Sequence, residues 1–348
     1  MSSKMKAICI TAAKQIEIID QNIPIPGPTD VLIKVATSML CTWEQRVFLQ
    51  IMPLPLPFVG GHEFAGEIVA IGSSLREEDF PIGSRCAAAL THNCGVCENC
   101  RRADGTRCKY THDLEYVEGR SGLAEYVLAD AKNTYLFPND ISYERIMFTE
   151  PLACVITGQD KFNIELGDNV VIQGAGIIGI MHAQVAMLKG AVVTIIERDE
   201  QRRQNALDMG ICDHALNSEA SDLWESVDKI TRGKRFEIVI NTVAIPSVIA
   251  QSIKLCSENG TYLMFGKVFP DEPIAIDINK IQSSNMKLAG TMASENRAFL
   301  RAAKILAAGK IKPETALLSE LHPITNAQQA FENSLLPTTF RVGFKFFE

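Results

Sequence analysis

Apolar positions along the chain fall into two regimes. Up to about residue 155 they come in short runs broken by Gly and Pro, and Val31-Leu32-Ile33-Lys34-Val35 and Phe64-Ala65-Gly66-Glu67-Ile68-Val69-Ala70-Ile71-Gly72 read as β-strands. The stretch from Met1 to Ile19 is interrupted by Lys14 and Glu17 and reads as a strand and turn, not a signal peptide. Pro53, Pro55 and Pro57 forbid regular structure before Gly60-Gly61-His62-Glu63, which predicts a loop, the kind of place where site residues gather.

The pattern changes near residue 168. Val170-Val171-Ile172-Gln173 is a short apolar strand, Gly174 to Leu188 a glycine turn with a helix behind it, and Val192-Val193-Thr194-Ile195-Ile196 another strand. A charged helix starts at Glu200 and should end before Gly210. Phe236–Asn241 and Thr261–Phe265 are further buried strands with a helix, Val248–Leu255, between them. Strands alternating with helices, the strands apolar throughout, predict an α/β fold: a doubly wound parallel sheet ending near residue 290. Phe299 to Ala308 reads as one more amphipathic helix, and Arg341 to Phe347 alternates like a strand returning to the first domain. The expected division is therefore a β-rich domain of residues 1–155 and 297–348 and a dinucleotide-binding domain of residues 156–296, with no internal repeat.

Composition narrows the function. The chain has 348 residues, 47% apolar and 22% charged, as in ordinary globular proteins of two domains. A net charge of −7 with scattered basic residues argues against nucleic acid or a membrane surface as partner. No apolar run reaches the ~18 residues a membrane helix needs. Four of the ten cysteines crowd into residues 94–108, while Cys9, Cys41, Cys86, Cys154, Cys212 and Cys256 are spread out. Disulfide scaffolds are short secreted chains with cysteines throughout; a cluster in a long chain points to metal in a reducing compartment, the cytoplasm.

Gly174-Ala175-Gly176-Ile177-Ile178-Gly179 fits the G-x-G-x-x-G fingerprint, follows a strand and opens a helix. Gly174 would make the tight turn, Gly176 let the backbone approach a pyrophosphate, and Gly179 bring helix and strand together, with the phosphates at the positive end of the helix. Glu197 ends the next strand, where a carboxylate accepts from a ribose 2′-hydroxyl and repels a 2′-phosphate, so NAD is expected over NADP. Arg198 next door pulls the other way, since it could pair with a phosphate, and Arg202 is placed with it as a further cofactor contact.

Cys94-Gly95-Val96-Cys97-Glu98-Asn99-Cys100 followed by Cys108 is C-x2-C-x2-C-x7-C. Four thiolates suit a closed, structural tetrahedral zinc site. Adjacent disulfides do not suit a reducing compartment, a redox CxxC needs only two cysteines, and iron–sulfur spacings differ. A second, dispersed set comprises Cys41, His62, Glu63 and Glu150. Each alone has a plain structural explanation; together they suggest a catalytic metal site with mixed sulfur, nitrogen and oxygen donors.

These residues resemble the zinc-containing medium-chain dehydrogenase/reductases, and within them the polyol and sugar dehydrogenase branch. The resemblance covers nearly the whole chain and rests on Gly61-His62-Glu63 before Gly66, the four-cysteine lobe, Gly122-Leu123-Ala124-Glu125-Tyr126, Glu150-Pro151-Leu152 and the glycine fingerprint. It implies a GroES-like catalytic domain, with its structural zinc lobe at 94–108, and an inserted Rossmann domain. It also implies one catalytic and one structural zinc, NAD, a small alcohol or ketone as substrate, and a homodimer or homotetramer. By the same match Cys41 and His62 bind the catalytic zinc, with Glu63 and Glu150 each a direct ligand or hydrogen-bonded to its water. The branch with Glu-Pro at the third ligand position resembles sorbitol, galactitol-phosphate and threonine dehydrogenases, so a threonine or amino-alcohol dehydrogenase is an alternative.

The resemblance implies a Ser or Thr two residues after the zinc cysteine to pass on the alcohol proton, followed by an Asp. This chain reads Cys41-Thr42-Trp43-Glu44. Trp43 donates through its indole N–H and cannot accept a proton. Glu44 can replace the Asp in orienting His62. The proton is expected to leave through Glu63 or Glu150, with Thr42 as the rival; Trp43 is either a stacking surface for a ring substrate or a core filler. Arg46 could meet an anionic group, Lys267 the cofactor, and His112, Tyr116 and Arg120 a polar substrate, although such loop positions are more often solvated. The altered segment is also the one feature favouring a non-catalytic NAD-sensing protein of the same fold, whereas Cys41, His62 and the cysteine lobe argue against a zinc-independent reductase.

Overall fold

The computed structural model describes residues 4–91, 93–102, 105–110 and 118–347. The chain divides into two units, residues 1–153 with 294–348 and residues 154–293. His112 and Tyr116 lie outside the described residues.

In the first unit, β1 (Lys4–Ala12) and β2 (Gln15–Asn22) form an antiparallel hairpin. The other strands are β3 (Asp30–Met39), β4 (Glu63–Ile71), β5 (Arg85–Ala88), β6 (Tyr126–Asp130), β7 (Thr134–Phe137), β14 (Leu318–Pro323) and β15 (Arg341–Lys345). Among the described residues they make one sheet in the order β14-β15-β3-β4-β5-β7, with β6 also on β3. The hub is β3, buried along nearly its whole length because it is covered on both faces. Val31, Ile33 and Val35 pack with Phe64 and Ile68, while a second core joins Ile8, Ile10, Leu40, Val47, Phe48, Phe331 and Phe344. Register then sets the site. Met39 stands opposite Glu63 of β4 and opposite Gly343 of β15, so the end of β3, the start of β4 and the start of β15 converge beside Cys41. The Leu40 N–H donates to the Val342 carbonyl at 2.9 Å and closes that corner.

The second unit is a six-stranded sheet, parallel at every pairing, of β8 (Asn169–Gln173), β9 (Val192–Glu197), β10 (His214–Asn217), β11 (Phe236–Asn241), β12 (Cys256–Met264) and β13 (Lys287–Gly290), in the order β10-β9-β8-β11-β12-β13. Order reverses beside β8, the strand that feeds the glycine fingerprint and the helix Ile177–Leu188. The helix expected over Val248–Leu255 instead runs Pro246–Ser252 and tightens to a 3-10 turn at Ile253–Leu255, because Pro246 supplies a first-turn residue with φ already fixed. β12 starts at Cys256, five residues before the expected Thr261, across an irregularity containing Asn259 at φ +60°. No helix among the described residues is long and apolar enough to cross a membrane.

Candidate functional site

Cys41, His62 and Glu63 come together in the first unit, with their donor atoms all within 4.8 Å of one another. Cys41 is the N-cap of the helix Thr42–Phe48, which starts as β3 ends. His62 and Glu63 enter from the proline loop through Gly60-Gly61. Gly61 has φ +96°, and a Cβ there would lie 2.4 Å from the Leu123 nitrogen, so only glycine lets the chain turn the imidazole inward.

Glu44 holds this corner. It is fully buried, and one oxygen accepts from His62 Nδ1 at 3.0 Å and from the Gly61 N–H at 3.0 Å while the other accepts from the Cys41 N–H at 3.1 Å. Burial penalises its charge most, yet His62, with the backbone N–H groups of Gly61 and of Glu44 itself, holds the carboxyl below its ordinary pKa. With Nδ1 engaged, Nε2 is the nitrogen left to bind a metal. Glu63 is 1% exposed; its Oε1 accepts from Arg341 Nη2 at 2.6 Å, and its Oε2 is buried with no hydrogen-bond partner. An orphaned carboxylate oxygen beside a thiol and an imidazole is a donor set that fits zinc. Burial pushes the Cys41 thiol pKa up, Glu63 adds to it, and Arg341 opposes it. Burial opposes the charge on Arg341 too, but Glu63 and Cys41 raise its pKa beyond titration.

The other predicted residues are placed less tightly. Glu150 is half-buried in the first turn of the helix Thr149–Gln159 and lies outside that group of three. Thr42 is exposed at the helix start. Trp43 is half-buried, its ring edge-on to Phe58 with centroids 5.4 Å apart and to His62 at 6.3 Å. Arg46 is half-buried one turn further along. Arg120 is not solvated: its side chain is 9% exposed and pairs with Asp30 at 2.8 Å and Asp130 at 3.3 Å. Lys267 is an exposed cation over the Phe269 ring and 3.3 Å from Asp271.

Cys94, Cys97, Cys100 and Cys108 form the second group. Sulfur separations of 4.0 Å for Cys94–Cys100 and for Cys97–Cys108 match the ~3.8 Å edge of a tetrahedron with zinc–sulfur bonds of about 2.3 Å, and are twice the ~2.05 Å of a disulfide. Backbone N–H groups of Cys100 and Lys109 lower the Cys97 thiol pKa to about 6, favouring the thiolate a metal requires. None of the ten cysteines is in a disulfide.

In the second unit, Gly174 has φ +98° and Gly176 caps the helix Ile177–Leu188. A Cβ on Gly179 would lie 2.0 Å from the Gly174 carbonyl oxygen, so that glycine is what lets helix and turn meet. Ile177 and Ile178 form the first helical turn. Glu197 lies beside the loop, its carboxylate accepting from the Ala175 N–H at 2.8 Å and the Asp199 N–H at 3.0 Å. Arg198 is exposed and Arg202 half-buried in the next helix. A cavity at the carboxyl ends of β8 and β9 is lined by Gln173, Ile196, Ser218, Trp224, Val248 and Gln251. Sequence reasoning named none of these lining residues as a site; Trp224, Val248 and Gln251 reach the cavity from the helices Leu223–Thr231 and Pro246–Ser252. It also missed Arg341, for which no local signal exists.

Comparison with known proteins agrees with this geometry. Residues 27–139 match the alcohol dehydrogenase GroES-like domain, and residues 178–308 match the zinc-binding dehydrogenase family. A sorbitol dehydrogenase of Halalkalibacterium halodurans is 29% identical over 300 residues, covering 85% of this chain and 86% of that protein. A zinc-binding dehydrogenase from Sinorhizobium meliloti, solved with NADP, superposes with TM-score 0.89 at 27% identity over 99% of this chain and 100% of the other. A protein described as a short chain alcohol dehydrogenase from E. coli CFT073, solved with NADH, does so with TM-score 0.89 at 26% identity over the same shares.

Proposed function

The chain belongs to the zinc-binding dehydrogenases with an alcohol dehydrogenase GroES-like domain, in their polyol-dehydrogenase branch, and on that footing we propose that it interconverts a secondary alcohol and a ketone on a polyol, sugar or related small polar molecule, with NAD. The observation that carries this reading is the Cys41–His62–Glu63 set, with Nδ1 of the histidine tied to buried Glu44 and one Glu63 oxygen left without a partner. Cys41, His62 and Glu63 would hold the catalytic zinc, and Cys94, Cys97, Cys100 and Cys108 the structural one. When bound, zinc supplies Lewis acidity toward the substrate oxygen and NAD supplies the hydride acceptor.

The protein's own groups do the rest. Glu44 fixes the imidazole, and Arg341 balances the buried Glu63 charge. Trp43 cannot take the alcohol proton. The proton acceptor would be Glu63 or Glu150 by way of bound water, with Thr42 as the rival. The glycine turn and helix start would receive the pyrophosphate, and the Glu197 carboxylate would favour NAD over NADP. We place the protein, with none of its ten cysteines in a disulfide, in the cytoplasm, as a homodimer or homotetramer.

The test is zinc-loaded protein assayed with NAD and a panel of polyols, sugars and amino alcohols. NAD reduction that Cys41→Ala abolishes while NAD binding persists supports the reading. No reduction with any member of the panel overturns it.

A further inference from the structure

Trp43 occupies the metal corner where a small hydroxyl would serve a proton relay, and it is held there from three sides. Glu44, the next residue, is locked by three hydrogen bonds from His62, Gly61 and Cys41, which hold the first turn of the helix in place. Phe58, on which the indole rests edge-on, is clamped to β1: the Ile10 N–H donates to the Phe58 carbonyl at 2.8 Å and the Phe58 N–H to the Ile10 carbonyl at 2.9 Å. The segment leading to Phe58 is a strap in which Met52, Leu54, Leu56 and Phe58 are half-buried against the core and alternate with exposed Pro53, Pro55 and Pro57. Each proline fixes its φ and restricts the residue before it, so the strap is stiff before any ligand arrives. The His62 side chain, 31% exposed, meets the indole edge-on at 6.3 Å.

We propose that Trp43, backed by Phe58, is a specificity-determining wall that selects alcohols carried on a ring, cyclitols or pyranoses, over open-chain polyols. The proposal rests on the dehydrogenase reading above and names its substrate class. A six-membered polyol ring presents contiguous C–H groups on one face and hydroxyls around its rim. The face lies on the indole while a rim hydroxyl reaches the Cys41–His62–Glu63 donors. An extended polyol has no such face, and its hydroxyls would lose water against a surface that offers one N–H and no acceptor. Because strap and helix are fixed in advance, little freedom is lost when the ring lands.

The experiment uses the full-length, zinc-loaded protein and two readouts. In a Trp224→Phe background, emission comes from Trp43 alone, and titration with myo-inositol and with methyl glucoside is expected to change it saturably while sorbitol does not. In the otherwise native protein, Trp43→Ala is expected to raise KM for the ring substrates about tenfold, the scale of one aromatic contact. It should leave KM for an open-chain polyol within twofold, and Trp43→Phe should restore most of the loss. Equal emission responses to sorbitol and the rings, or an equal fall in kcat for every substrate with KM unchanged, overturns the proposal in favour of a purely structural tryptophan. Ring-specific emission changes without NAD reduction by any alcohol would overturn the dehydrogenase reading and leave the wall standing.

Discussion

Glu44 has its charge shared among an imidazole and two backbone N–H groups, with no solvent to share it. A carboxylate in that position sets the histidine tautomer, fixes the ring plane and raises the basicity of the distal nitrogen. Glu44→Gln keeps the volume, but its amide nitrogen cannot accept, so one of the three donors at this corner loses its partner. Competition against a chromophoric chelator is expected to show zinc affinity at the Cys41 site falling ~10–100-fold, the usual effect of removing such a partner. The four-cysteine site, which Glu44 does not touch, should retain its zinc and serves as the control within each sample. Unchanged affinity at both sites would reduce Glu44 to a cap of the helix Thr42–Phe48.

The helix Ile177–Leu188 is apolar nearly all round and buried on most of its length, yet it carries His182 at zero exposure. Burial lowers the His182 pKa to about 3, with a smaller push from Lys189; Gln159 donates to its Nδ1 at 3.3 Å and Phe265 lies edge-on at 4.9 Å. The folded pKa is depressed, so below the unfolded value of 6.5 the unfolded chain binds the extra proton. Stability from this residue is therefore complete above pH 6.5 and is lost as pH falls toward 3, by roughly 2–3 kcal/mol at pH 4.5. Urea unfolding at pH 7 and pH 4.5 should show His182→Leu losing less stability on acidification than the native chain; parallel losses in both would refute this. The helix itself was legible because its signal is local: strand, glycines, apolar face. So were the four cysteines and Gly61-His62-Glu63. β10, with only Ala215 and Leu216 as apolar positions, and the short exposed β13 carry no run long enough to read. Arg341 was illegible for a different reason. It meets Glu63 across 278 residues of sequence, through the register of β15 on β3, which no window of sequence contains.

The six-stranded sheet ends at β13, which among the described residues is hydrogen-bonded to β12 on one side alone. Large apolar side chains stand exposed beside that edge: Leu288 is 47% exposed and Met292, two residues past the strand, 61%. An open edge carrying large apolar side chains is a template for another strand, and monomeric proteins usually blunt it with charge, proline or a covering element. Here Lys287 is the one charge on the strand. A second copy related by a two-fold axis would pair its β13 antiparallel to this one, continue the sheet and cover Leu288 and Met292 together. Sedimentation velocity is expected to give twice the mass of the chain at micromolar concentration. Leu288→Lys, which places like charges opposite one another at the two-fold, should shift the protein to the chain mass while zinc content per chain stays at two, since both donor groups lie within a single unit of one chain. A native protein that sediments at the chain mass would refute the dimer, and a Leu288→Lys variant that remains dimeric would place the contact elsewhere.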